Sequence, residues 1–157
     1  MSSDPDQTPQ PVDNSSTSFK VPTWFWIVAV VALLWNLMGL MMFFVQMTMS
    51  AEALSELPED QQELFKTMPM WVNIAFGAAV VGGTLGSIGL VMRKRWAFPV
   101  FIISLLGVLA QQTYFYFLSD TVKIMGIGNM VPTMLVLVVA ILLAIFSKKW
   151  ISKGWLR

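Results

Sequence analysis

Four apolar runs, at residues 22–47, 70–92, 97–118 and 129–147, contain no Asp, Glu, Lys, Arg or His, and they constrain this chain more than any other feature. A hydrocarbon core of ~30 Å takes about 20 apolar residues to cross as a helix, and each run is near that length or longer. Lipid offers no water to an unpaired backbone group, so only helices and closed barrels can span it. These runs lack the alternation of a barrel strand. The expectation is an all-α membrane protein, an antiparallel bundle of four transmembrane helices. Pro22 is tolerated because the first turn of a helix has no internal hydrogen bond to lose.

The composition agrees. Of 157 residues, 56% are hydrophobic and 12% charged, with a mean hydropathy of +0.67, outside the range of soluble domains. A net charge of +1, with the basic residues beside apolar runs, argues against nucleic acid as a partner. The chain has no Cys and no His, which removes disulfides, thiolate nucleophiles and the commonest metal ligand. The twelve methionines then read as adaptable packing and not as a soft-metal site. No cofactor or metal is expected.

Residues 1–20 are rich in Ser, Asp, Pro, Gln and Thr and cannot bury enough surface to offset ordering entropy, so a disordered cytoplasmic tail precedes a membrane domain at 21–157. The tail is acidic and the first run exceeds a signal core of about 7–15 residues, so the first helix is expected to stay uncleaved. Lys20, Arg93, Lys94, Arg95, Lys148, Lys149, Lys153 and Arg157 share one side of the membrane, against Lys66 and Lys123 on the other. Positively charged flanks are retained in the cytoplasm, which puts both termini inside. Trp24, Trp26, Trp71, Trp96, Trp150 and Trp155 stand at run ends, where their rings suit the headgroup layer.

The expected periplasmic loop, 48–69, carries Glu52, Glu56, Glu59, Asp60 and Glu63 against Lys66. Leu54, Leu57, Leu64 and Phe65 recur at near-helical spacing, and Pro58 can open a turn, so short amphipathic helices should lie over the membrane. A solvated cap is favoured over a cation or ligand site.

Inside the spans the polar groups are few. Proton-coupled carriers generally need an intramembrane group that titrates, as four-helix multidrug exporters have a glutamate in their first helix; here that region offers Asn36. Gln111 lies at a matching depth in the third span and is the expected partner of Asn36. Ser104, Gly107, Gln111 and Tyr114 follow helical spacing and should form one stripe facing the interior. Asn36, Ser104, Gln111 and Tyr114 are therefore the candidate polar cluster, read as interhelical glue first and as a substrate pocket second. In the second span, Gly77, Gly82, Gly83, Gly86 and Gly89, with Ala75 and Ala79, offer a close-packing face. A partner helix in the same chain is favoured over one in a second copy; a homo-oligomer or a larger membrane complex remains the other reading.

The order of LWNLMG at Leu34–Gly39, the Met-Ser-Ala-Glu-Ala-Leu entry to the acidic loop, Pro69 and Trp71, RKRWAFPVF at Arg93–Phe101, Gln111 and KGWL at Lys153–Leu156 resembles a group of small four-helix inner-membrane proteins of bacteria, some labelled sugar transporters. The likeness covers roughly residues 20–157. It implies a bacterial cytoplasmic membrane location and a single domain. It carries no catalytic or binding residue across. The expected function is a structural or accessory membrane protein acting through helix contacts, with an oligomeric small-solute transporter as the alternative. An intramembrane enzyme is least expected, since only Tyr114, Tyr116 and serines offer chemistry.

Overall fold

The computed structural model describes residues 21–157. The tail expected over residues 1–20, Lys20 included, lies outside them. All regular elements among the described residues are helical, and four helices are long and apolar enough to cross a membrane: Thr23–Met47, Met70–Val91, Ala97–Leu118 and Met130–Ser152.

The first long helix, α1 (Thr23–Met47), starts directly after the extended Pro22. Two short helices follow, α2 (Ala51–Ser55) and α3 (Glu59–Thr67). The Ser50 hydroxyl accepts from the Ala53 amide at 3.1 Å, satisfying an otherwise orphaned donor of α2. Pro58 opens α3, whose Glu59 and Asp60 stand at the positive end of the helix dipole and Lys66 at the negative end. Gln62 Nε2 donates to Leu57 O at 2.8 Å and ties the two short helices together.

The chain re-enters through α4 (Met70–Val91), turns at Arg93–Trp96 and returns as α5 (Ala97–Thr113), which runs on through a wider π-helical turn at Tyr114–Leu118. After α6 (Thr121–Met125) and a 3₁₀ turn at Ile127–Asn129, α7 (Met130–Ser152) completes the set. The fourth span was expected to end at Ser147, yet its helix continues to Ser152. Lys148 and Lys149 mark the edge of the apolar run, but a lysine stem lies along apolar surface with its charge in water, so helix and hydrocarbon need not end together.

Two helix ends share one design. Lys94 N donates to Gly89 O at 2.8 Å and Arg93 N to Leu90 O at 2.9 Å; Trp155 N donates to Trp150 O and Gly154 N to Ile151 O, both at 3.0 Å. Each pair satisfies the last carbonyls of its helix and needs a left-handed residue, supplied by Gly154 at φ 70° and by Arg93 at φ 57°. Arg93 carries a Cβ that disfavours this region by about 1–2 kcal/mol. Its offset comes from the C-terminus: Arg157 N donates to Arg93 O at 2.7 Å and Arg93 Nε to Trp155 O at 2.9 Å. The last residues thereby clasp the α4–α5 turn.

Under the clasp lies the apolar core. Phe25, Leu90, Ala97, Phe101, Trp150 and Leu156 are buried together, and the Phe25 and Trp150 rings meet edge to face at 4.7 Å. This is the tail end of the helices; the opposite end, where α3 meets α6, is the loop end. Helix α4 packs on α5 and on α1, and α7 packs mainly on α5. Half of the most apolar stretch of α4 is buried, far more than in α1 or α7, so α4 is the central helix of the set.

Candidate functional site: an intramembrane cavity

The glycines of α4 decide how close its neighbours come. A Cβ added at Gly82 would stand 3.3 Å from the backbone of Ser104, and one at Gly86 would stand 2.8 Å from the Phe101 ring. Gly77 faces Phe43 of α1, and a Cβ at Gly83 would overlap the Asn36 amide oxygen. From the α5 side, a Cβ at Gly107 would meet Ala75 O at 2.7 Å and Ala79 N at 2.8 Å. Ala75, Ala79, Gly82, Gly83 and Gly86 are therefore all engaged within this chain, on two faces of α4. Across Gly82 and Gly86 the neighbour within this chain is α5, through Ser104 and Phe101.

The close approach lets short polar side chains reach between helices. Asn36 Nδ2 donates to Ala32 O at 2.8 Å and to Ser87 Oγ at 3.1 Å, and Ser87 Oγ donates to Gly83 O at 2.8 Å. Thr84 Oγ1 donates to Val80 O at 2.8 Å on the same α1–α4 seam. Between α4 and α5, Ser104 Oγ donates to Ala79 O at 2.6 Å. Between α5 and α7, Gln112 Nε2 donates to Thr133 O at 2.6 Å. Tyr114 is buried, and its ring stands perpendicular to Trp71 at 5.6 Å.

The expected pairing of Asn36 with Gln111 is corrected by these contacts. Asn36 points at α4, where the absence of a side chain at Gly83 leaves room for it at the level of Ser104, and Gln111 lies about two turns further along α5 towards the loop end. Gln111 makes no side-chain hydrogen bond among the described residues and faces open space instead. Ser87 and Gln112 were missed. Gln112 lies eight residues after Ser104, so the four-residue ridge of α5 would have picked it out as readily as the stripe chosen.

Asn36, Ser104 and Gln111 all line a cavity of about 300 Å³ between α1, α4, α5 and α7. Tyr114 is not part of that wall. Towards the loop end lies a vestibule of about 210 Å³ whose lining includes Phe65, Phe115, Tyr116 and Met125. Phe76 and Gln111 border both spaces. Towards the tail end a groove of about 270 Å³ runs between α1 and α7, and it shares Trp35, Val139 and Leu143 with the central cavity.

Charged groups stay outside this system. At the loop end Asp120 accepts from Lys123 Nζ at 2.6 Å, and that contact raises the lysine pKa above its ordinary value. Among the described residues no three acidic side chains converge as a metal-ligand set.

Compared with known proteins, the chain matches no family model, no curated protein and no solved structure.

Proposed function

We propose that this chain is a multi-pass protein of the bacterial cytoplasmic membrane, an antiparallel four-helix bundle with both termini in the cytoplasm. In this reading it acts through helix contacts as a structural or accessory component. The observation that carries the proposal is how its intramembrane polar groups are used. Asn36, Ser87, Thr84, Ser104 and Gln112 all bond across or along helices as packing elements, and the first three spans hold no Asp, Glu, Lys, Arg or His. Interhelical bonds of this kind stabilise a membrane fold by roughly 1 kcal/mol each and transfer no proton. The excess of Lys and Arg beside the α4–α5 turn and the C-terminus supports the orientation.

A small-solute transporter is the second reading, favoured by the central cavity and the unbonded Gln111 amide on its wall. Catalysis has no such support. The experiment is uptake of labelled sugars into liposomes holding the purified chain under an imposed proton gradient. No accumulation above protein-free liposomes is expected. Gradient-driven accumulation that Gln111→Leu abolishes would replace the accessory reading with the transport one.

A further inference from the structure

We propose that the central cavity and the α1–α7 groove form one binding site for a neutral, lipid-soluble molecule with a carbonyl or hydroxyl head. The head sits at Gln111 and a single apolar tail lies along the groove.

Continuity comes first. Trp35, Val139 and Leu143 line both spaces, and on α1 the lining runs from Met42 in the cavity to Ile27 in the groove. Those residues span ~22 Å at ~1.5 Å per residue. The site is thus elongated, with polar side chains in the cavity and none in the groove. Its central part, at about 300 Å³, is at the lower limit for small-molecule pockets of roughly 300–1,000 Å³.

The wall chemistry selects the ligand. No ionisable side chain lines either space, so a charged head would lose its hydration with nothing in return. Of the three polar side chains at the cavity, Asn36 already uses its amide hydrogens on Ala32 O and Ser87, and Ser104 uses its hydroxyl on Ala79 O. Gln111, which lines both the cavity and the vestibule, makes no side-chain hydrogen bond among the described residues. An amide facing hydrocarbon without a partner is costly, so a carbonyl accepting from Nε2, or a hydroxyl donating to Oε1, is the complement this site lacks. The groove, lined by Ile27, Val31, Leu142 and Phe146 among others, offers only hydrocarbon and opens between two helices whose other faces meet lipid. The ligand therefore enters from the bilayer. A phospholipid acyl chain could fill the groove, but its ester head belongs at the headgroup layer, and Gln111 lies ~21 Å along α5 from Ala97.

Trp35, on both walls, is a built-in reporter. The probe is decyl-benzoquinone, a neutral molecule with carbonyl acceptors, one apolar tail and the capacity to quench tryptophan emission, titrated against the full chain in lipid nanodiscs. Saturable quenching at one molecule per chain is expected, with the saturable part lost in Trp35→Phe. Gln111→Leu should weaken binding about tenfold while leaving the thermal midpoint in place, since that side chain bonds no other among the described residues. Ala140→Leu, or Val136→Phe if the first variant fails to fold, should abolish saturation by filling the cavity. Quenching that stays linear in quinone concentration would overturn the proposal. So would unchanged affinity in Gln111→Leu, which would leave a groove that any acyl chain fills.

Discussion

Of the described glycines, Gly107 has a neighbouring backbone nearest to the place of its missing Cβ, and Gly107→Ala should weaken the packed state by about 2 kcal/mol. The added Cβ would lie 2.7 Å from Ala75 O, 2.8 Å from Ala79 N and 3.2 Å from Ala79 Cα, all backbone atoms of α4 that cannot rotate away. Relief requires α5 to recede by roughly half an ångström or more. A gap of that size forfeits a quarter to a half of each van der Waals contact along the seam. It would also stretch the 2.6 Å bond from Ser104 Oγ to Ala79 O, the main polar link between the two helices. Overpacking of this kind costs about 1–3 kcal/mol. Alanine normally gains ~1 kcal/mol over glycine in a helix, but spans stay helical in lipid even when separated, so that gain largely cancels here. Two kcal/mol is a factor of roughly 30 in the folding equilibrium. The assay is reversible unfolding in mixed lipid–detergent micelles, followed by tryptophan emission, with Gly39→Ala as control. Its Cβ would meet Val80 at an ordinary 3.6 Å, and that variant should be neutral. If Gly107→Ala proved as stable as the unmodified chain, the α4–α5 contact would not be the one described.

A double-mutant cycle on Asn36→Leu and Ser87→Ala should show coupling of about 0.6–1 kcal/mol, whereas Asn36→Leu with Gln111→Leu should be additive; the reverse would return Asn36 to the partner first expected. Removing residues 155–157 should destabilise the fold by about 2 kcal/mol or more and expose the α4–α5 turn to trypsin, because Leu156 and its neighbours fill the tail-end core and the clasp bonds Arg93. The thermal midpoint should be flat from roughly pH 6 to 8, since the chain has no His. The Lys123–Asp120 pair does not alter this: a raised lysine pKa contributes stability below the ordinary lysine value and loses it only as pH climbs past the raised one. The pair is also fully exposed on its lysine side and screened.

The spans were legible because lipid leaves a chain so little choice: a long apolar run without charge has to be a helix. Their contacts were harder to read. Counting residues at ~1.5 Å each puts Asn36 and Gln111 at similar depth, but the packing sets Asn36 beside Gly83 and Ser104, and Gln111 lies seven residues further along α5, ~10 Å nearer the loop end. Direction around the helix depends on which helices are neighbours, and hydrophobic periodicity says nothing about that when every face is apolar. The glycines of α4 carried more information than their spacing alone suggested. Gly82 and Gly86 occupy one face and Gly77 and Gly83 another, so both α5 and α1 can approach. The clasp had no signal in periodicity at all. Gly154, one residue before Trp155, was its only sequence mark, and Arg93 stands where glycine would be the ordinary choice.

The same small residues explain why a cavity exists. Two faces of α4 are stripped of side chains, so α1 and α5 are drawn onto it, and the short Ser87, Thr84 and Ser104 hydroxyls can bond across the seams. Helix α7 offers less: between Val131 and Ile145 its small side chains are Ala140 and Ala144, and the Val, Leu, Ile and Met side chains around them keep it from approaching as closely. It packs mainly on α5, and at the tail end its Trp150 packs on Phe25 of α1. Above that contact the groove lies between α1 and α7, and at Trp35 it joins the cavity that Gln111 lines. Narrowing this gap by a small residue on α7 would close the cavity at its source, whereas enlarging any side chain on α4 would instead push α1 or α5 away.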